Sequence, residues 1–475
     1  MQTANIIGSG PNGLAAAITL AQRGVAVTVY ERNAQLGGAC STGEITLPGF
    51  HHDLGSSVYP LGVCSPFFQS LPLAEHGLKW IEPPAPLAHP FEDGSAVLLE
   101  HSLKDTANQF LPYDERAWRS LFNPTVRDWP KIVDAIMHPL LSIPHSPVAM
   151  ANFGLAAMLP ARTLARTSFR NEPARALFAG LAAHSVLPLS RVASSATGLV
   201  LGAAAQSTGW PIVAGGAQVL SNALASYFKS LGGRIVLNAE ITHLDEIPGA
   251  DAIFFDTSIT ALTRIAGSAL APNFLTRLQS FKPGAGIFKL DWALSAPIPW
   301  RNATCARAAT VHVGGTLEEI ARSEYDAFYG RNNDRPFLLL VQPSLFDPTR
   351  APDGKHTAWA YCHVPGGSTA DLTQIVEDQV TRFAPDFRDT ILARRASNGP
   401  ALAAWNPNLA GGDISGGAMT LMQIAFRPTA LGYRTSNPQL FLCSSSTSPG
   451  GGVHGMCGHL AAEAALKSLV KHGRA

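Results

Sequence analysis

The spacing of apolar and polar positions changes several times along the chain, and each change marks a predicted element. Residues 5–7 form a short apolar run, followed at once by Gly8-Ser9-Gly10-Pro11-Asn12-Gly13. Leu14, Ala17, Ile18 and Ala21 then recur at helical spacing up to a stop at Gly24. Residues 26–30 alternate as a second strand and deliver Glu31. From about 105 to 210 the pattern reads mainly as helix, with apolar stretches at 131–141 and 153–159. Strand patterns return at 232–245 and 251–255. Between 285 and 405 alternation dominates, with strand-like runs at 337–342 and 357–363. A last strand at 439–443 enters a Ser/Gly-rich turn. Met456, Leu460 and Ala464 then share one face of a closing helix expected from about 453.

The first strand–turn–helix unit carries chemistry. Its glycines have the spacing G-x-G-x-x-G: Gly8 permits a tight turn, Gly10 lets backbone approach a pyrophosphate, and Gly13 allows close helix–strand packing. The helix beginning at Pro11 and Asn12 offers unpaired N–H groups and a positive dipole end to phosphates. Glu31 stands at the end of the second strand, where a carboxylate can accept both ribose hydroxyls. An acidic residue there disfavours a 2′-phosphate, but does not separate FAD from NAD.

Two further segments bear on that choice. Arg32-Asn33-Ala34-Gln35-Leu36-Gly37-Gly38-Ala39-Cys40 resembles the second glycine motif of FAD enzymes of the phytoene desaturase and amine oxidase type, and His52-Asp53-Leu54-Gly55-Ser56-Ser57 resembles their loop along the ribityl chain. Ser444-Ser445-Ser446-Thr447-Ser448-Pro449-Gly450-Gly451-Gly452-Val453-His454-Gly455 is similar to the C-terminal flavin motif of the desaturases. Ala239-Glu240-Ile241 resembles the family's adenine-side segment. The stretches 288–294, 406–408 and 411–414 look like the phytoene dehydrogenase-related group. The sequence departs from the family at Ser444 and Ser446, where Gly is usual, at His454, often Pro, and at Ala39-Cys40, where an arginine is expected.

The resemblance implies FAD as cofactor. It implies contacts from Gly8, Gly10, Pro11, Asn12, Gly13, Glu31, Arg32, Gly38, Ala39, Cys40, Gly55, Ser56, Ser57, Ile241, Ser445, Gly452, Val453 and His454. A glycine run at a helix start would bring N–H groups to the flavin's pyrimidine edge, where the dipole favours the charge of the reduced ring. Because the motifs lie far apart, the fold class expected is α/β: a Rossmann-like FAD-binding domain, discontinuous in sequence, with a mixed α+β substrate domain. The expected division is 1–104, 212–284 and 406–475 for the FAD domain, 105–211 for a helical insertion and 285–405 for a strand-rich insertion.

Composition sharpens this reading. Charged residues are only 15% of the chain against 46% hydrophobic, below the roughly 25% charged of an average soluble domain. That points to a large interior, an apolar tunnel or a surface touching lipid. A net charge of +1 gives no reason to expect nucleic acid. The six cysteines show no CxxC spacing, which speaks against a metal site or a redox disulfide and for a cytoplasmic-type compartment. No signal peptide is expected from an N-terminus lacking a basic n-region.

The implied reaction is hydride transfer from an apolar isoprenoid or long-chain lipid to flavin N5. A redox-neutral isomerase, an amine oxidase and a non-catalytic flavoprotein scaffold are the alternatives. His454 and Tyr59 are the candidate catalytic residues. Asp291 and His184 could also face the substrate, or serve as satisfied structural groups. His51-His52 is not a metal pair, since neighbours in an extended segment point to opposite faces. The stretch near 131–165 reads as core helix or as a plateau for peripheral membrane contact, broken in either case by Pro139, Pro144 and Pro147.

Overall fold

The structure is a computed structural model that describes residues 1–472. Two sheets organise it. The first holds five parallel strands in the order Leu440–Leu442, Ala252–Phe255, Thr3–Ile7, Ala26–Tyr30, Arg234–Val236. Both faces are covered, as a parallel sheet requires. Ile6, Phe254 and Phe441 point to a core shared with the helices Pro11–Ala21, Ala217–Ser230 and Met456–His472. Ile7, Phe255 and Leu442 point the other way, onto Leu262, Ile265, Phe274 and Leu278 of two short helices.

The parallel strands end level. Ile7 is in register with Tyr30 and Phe255, and Phe255 with Leu442. The chain therefore leaves one edge of the sheet at Gly8, Glu31, Asp256 and Cys443, the edge where α/β sheets bind ligands.

The second sheet is mixed, with seven strands in the order Ile391–Ser397, Gly286–Leu294, His356–Val364, Leu338–Val341, Ala308–Val313, Ala85–Pro90, Ala96–Leu99. One face is apolar: Phe288, Leu290, Trp292, Leu340 and Ala360 pack on Val376, Val380 and Phe387. The other carries Lys289, Asp291, Tyr361, His363, His312 and His89, and faces the nucleotide sheet and the helical region.

The helical region runs from Leu103–Ala107 to Ser194–Ser207. Its aromatic centre joins Trp118 to Phe122 and Phe169, with ring centroids 4.6 and 5.5 Å apart. Within 131–165 the pattern divides. Ile132, Val133, Phe153 and Leu164 are buried, whereas Leu141, Ile143, Val148 and Leu155 stand in solvent. Among the described residues no single helix is long and apolar enough to cross a membrane. The pair Pro147–Ala157 and Ala161–Ser168 passes that test together but bends by 88°.

Three local expectations need correction. Only Arg234–Val236 of the run 232–245 pairs as a strand, because Asn238 takes φ 54° and the chain turns back to bond Glu31 O through Ala239 N. Residues 85–90 and 96–99, placed by sequence with the nucleotide fold, supply two strands to the second sheet instead. The C-terminal helix begins at Met456 rather than 453, since Gly452 and Gly455 hold φ of +124° and +70°, outside helical geometry.

Candidate active site

The glycine turn is anchored from both neighbouring strands. Gly8 N donates to Tyr30 O and Asp256 N donates to Ile7 O, each at 2.9 Å. Pro11 occupies the first helical turn with Gly10 as the cap, where a missing N–H costs nothing. A side chain at Gly13 would place its Cβ 2.3 Å from Gly8 O, so only glycine fits between helix and strand. Gly10 needs a different explanation from the one the sequence suggests. A Cβ there would lie 2.6 Å from the Asp256 carboxylate, so the space is closed by this chain itself.

Asp256 is buried over the turn and accepts from Gly13 N at 2.8 Å. Burial pushes its carboxyl up to about 7, a rise that the Gly13 hydrogen bond opposes and the nearby Glu31 assists. Glu31 is buried too; its Oε2 accepts from Ser9 N and Oγ at 3.1 and 2.6 Å, and its Oε1 from Asn33 N at 2.9 Å. A carboxylate has about four acceptor sites, so one remains for a ribose hydroxyl. Asn12 Oδ1, also buried, has no partner among the described residues. An orphaned acceptor beside a helix N-terminus and a backbone trough fits a dinucleotide.

The second glycine motif forms the opposite wall: a Cβ on Gly38 would meet Gly10 Cα at 3.4 Å. Asn408 ties a third segment to the turn, accepting from Ser258 N at 2.7 Å and donating to Asp256 O at 3.0 Å. Arg32 is exposed, whereas Ile241 packs with Ile7 and Phe255 on the far side of the strand ends. Ala39 O accepts from Ser56 N at 3.1 Å and leaves no room for a Cβ at Gly55, so the 37–40 and 53–57 loops fit together.

Tyr59 is held by that loop. Its hydroxyl lies 3.1 Å from Ser56 Oγ and 3.6 Å from Cys40 Sγ, and its ring sits 5.6 Å from Trp80. Cys40 also donates to Ala217 O at 3.3 Å, and burial raises the pKa of both groups. Ser57 donates to Asp53, which takes a further bond from Ala217 N at 2.9 Å.

The C-terminal motif closes the cradle from the other end. Arg427, buried, bridges two strands of loop by donating to Ser445 O at 3.0 Å and Ser415 O at 2.5 Å. Val453 O lies where a Cβ on Gly62 would clash, at 2.9 Å, and Gly452 lies against Leu61 and His454. His454 Nδ1 accepts from Met456 N at 3.0 Å, so the ring caps the C-terminal helix. Burial lowers its pKa to about 4, which makes it a neutral imidazole with its hydrogen on Nε2. Gly458 stands so close to the first helix that a Cβ would lie 1.8 Å from Asn12 O.

Between the sheets lies a buried ionic group that joins Asp53 and Asp291, singled out in the sequence, to Lys289 and Arg350, which sequence reading gave no role. Lys289 donates to Asp53 O at 3.2 Å and to Asp291, and lies 5.3 Å over the Trp359 ring. Although burial works against it, the Arg350 guanidinium at 2.8 Å helps hold the Asp53 carboxyl below its ordinary value. Burial, with Lys289 and Arg350 nearby, lowers His52 to about 3, while His51 stays half-exposed. His184 meets His312 with 2.9 Å between their Nε2 atoms, and burial lowers both. All six cysteines are buried and unpaired. Among the described residues no three His, Cys, Asp or Glu side chains gather as a metal-holding group.

The signals for the missed residues were weak. Asp256 follows a strand end as Glu31 does, and Tyr361 and His363 alternate along one strand; nothing local marks Arg350 or Arg427.

Together the level strand ends and the glycine turn form a Rossmann-type nucleotide edge, and the polar sheet face stands opposite it. The model of the NAD(P)-binding Rossmann-like domain matches residues 6–70. Pyridine nucleotide-disulfide oxidoreductase domain-containing protein 2 of Mus musculus is 26% identical, covering 98% of this chain and 93% of that protein. The 4,4′-diapophytoene desaturase of Staphylococcus haemolyticus is 21% identical over 77% of this chain and 76% of its own length. An oxidoreductase from Methanosarcina mazei has a similar fold, with TM-score 0.68, 15% identity and coverage of 98% and 100%. Putrescine oxidase gives 0.62 at 15% identity, with 99% of each chain covered. Over most of its length the chain is thus similar to oxidoreductases, and it shares its fold with the amine oxidases.

Proposed function

We propose that the chain binds FAD and uses it to dehydrogenate an isoprenoid or long-chain lipid. The observation that carries the reading is the convergence of residues 8–13, 31, 37–40, 53–57, 256 and 444–455 on one sheet edge. Only a long ligand with a pyrophosphate at its middle uses all of these at once. When bound, the flavin supplies a two-electron acceptor for hydride at N5.

The chain's residues would do the rest. Glu31 would hold the ribose, the turn at Gly10 to Gly13 the pyrophosphate, and the 450–455 run the flavin's polar edge. Lys289, Asp291 and Tyr361 line the sheet face nearest the ribityl loop. An apolar wall of Ile287, Leu402, Trp405, Leu409 and Ile414 adjoins Tyr361 and supports a lipid chain. Such a chain is bound mainly by area, at about 25 cal/mol per Å² removed from water. The exposed Leu141, Ile143, Val148 and Leu155 support peripheral contact with a membrane that supplies it.

The test is direct. The purified protein should be yellow with one FAD per chain, and anaerobic mixing with polyprenoids or long-chain acyl lipids in detergent should bleach the flavin band. Reduction by small amines alone would establish the amine oxidase alternative. A folded protein that cannot be loaded with FAD would remove the proposal.

A further inference from the structure

The polar face of the second sheet holds a pair of groups that nothing above uses. His363 and Glu324 are each about 1% exposed at the side chain, and His363 Nδ1 lies 2.8 and 3.0 Å from the two Glu324 oxygens. A carboxylate accepts, so Nδ1 carries the hydrogen toward Glu324, and a ring with that one hydrogen has its lone pair on Nε2. That Nε2 is buried and has no partner among the described residues. Burying such a pair costs several kcal/mol of desolvation, and well-packed apolar residues would be as stable or more so. The opposite face of the same sheet shows that hydrocarbon fills such positions readily.

Its surroundings connect the pair to the substrate wall. His363 is in register with Ile287 of that wall, and its ring lies 5.7 Å from Tyr361, which is half-buried and opposite Lys289. The half-buried His184, at the end of the helix Glu172–Ala183, senses His363 electrostatically. A base oriented by a carboxylate, with its free nitrogen unspent, is the recurring arrangement for taking a proton.

We propose that His363, held by Glu324, is the proton acceptor of the dehydrogenation, so the substrate is a functionalised lipid rather than a bare hydrocarbon. The substrate loses a proton from an acidic position, an alcohol O–H or a C–H beside a carbonyl, to His363 Nε2. The C–H bond on the adjacent carbon breaks, and its hydrogen leaves with the electron pair to the oxidised flavin. The electrons of the first bond become the new π bond. The substrate is oxidised and the flavin reduced by two electrons, and the imidazolium is balanced by Glu324.

This inference rests on the FAD reading, and a flavin titration of wild type separates the two, since failure to bind FAD defeats that reading alone. With FAD loaded, ¹⁵N-histidine NMR, assigned by His363→Gln, should show His363 with its hydrogen on Nδ1 and a bare Nε2. Glu324→Gln should weaken that tautomer preference. The groups facing the ring are Glu324, His184 and Tyr361, with His312 and Lys289 beyond, so their titrations must be tracked beside it. Stopped-flow reduction uses three probes: hexadecan-2-ol, stearoyl-CoA and squalene. The alcohol or the thioester, whichever is the true class, should bleach the flavin, and His363→Gln should slow it about 100-fold or more with FAD content unchanged. Bleaching by squalene alone, an unaltered rate in His363→Gln, an Nε2 that carries the hydrogen, or no bleaching by either functionalised probe overturns the proposal.

Discussion

The two walls of the site are made of different material. The nucleotide side is built from backbone: glycines without side chains, helix N-termini, and carbonyls at 2 to 3 Å from where a Cβ would go. The opposite side is built from side chains on a sheet, where Lys289, Asp291, His312, Tyr361 and His363 replace what the other face fills with leucine and tryptophan. A backbone wall is therefore broken by adding atoms, and a side-chain wall by removing charge.

The largest effect is expected from Gly458→Val. The new carbon would overlap Asn12 O at the contact between first and last helices, and neither backbone can yield. Loss of more than about 5 kcal/mol should leave no soluble yellow protein, as checked by expression yield and flavin absorbance. A well-folded, FAD-loaded variant would show that the two helices do not lock the cradle.

On the other wall, Lys289→Met should cost about 3–5 kcal/mol by urea denaturation, because Asp291 is left buried without its cation. Adding Asp291→Leu should recover most of that loss. If the double variant is no better than the single one, the wall is held by packing and not by charge.

Asp256, beside Glu31 in the backbone wall, gives a pH signature. Its carboxyl is raised from an ordinary 3.8 to about 7 by burial. A raised folded pKa contributes stability that is complete below 3.8 and is lost as pH rises through about 7. The FAD-free protein should thus weaken across that window, and FAD should bind less tightly as an anionic Asp256 faces the pyrophosphate. Asp256→Asn should flatten both profiles and tighten binding about 10-fold, or ~1.4 kcal/mol, at pH 8 by fluorescence titration. Unchanged slopes would mean that Asp256 lies outside the cofactor's field.

The smallest effect on the fold is expected outside both walls. Ile143 is 93% exposed, so Ile143→Ser should leave the unfolding free energy within about ±0.5 kcal/mol while lowering sedimentation with liposomes. Equal lipid binding would place the membrane contact elsewhere.

The same contrast explains what could be read from the sequence. Gly8, Gly10, Gly13 and Glu31 announce themselves because turn, helix start and ribose carboxylate are fixed by spacing within one strand–helix–strand unit. The 444–455 loop is picked out differently, by its resemblance to the desaturases' C-terminal motif. Arg350 and His363 carry no such spacing: their partners Asp53 and Glu324 lie 297 and 39 positions away, and only the fold brings them together. Lys289 meets Asp291 two positions on along one strand face, but its second contact, Asp53 O, is 236 positions away. Asp256 was missed because its role depends on the level ending of three parallel strands, and only the pairing of the strands reveals that. His454 was noticed, but its neutral, helix-capping state follows from burial, which spacing does not give.

The contact between the first helix and the last also sets an order of events in the cell. Thr19 and His459 touch at 3.0 Å although 440 positions separate them. At about 5–20 residues per second, a ribosome needs about 20–90 s to make the second after the first. Throughout that interval the glycine turn exists without its closing helix, and the apolar sides of Leu14, Ala15 and Ile18 have no cover from residues 456–465. The glycine turn can be closed from behind only once residue 459 has been made. A slow stretch of codons between the two helices would prolong the exposure of the first, whereas one placed after residue 465 would leave that interval unchanged.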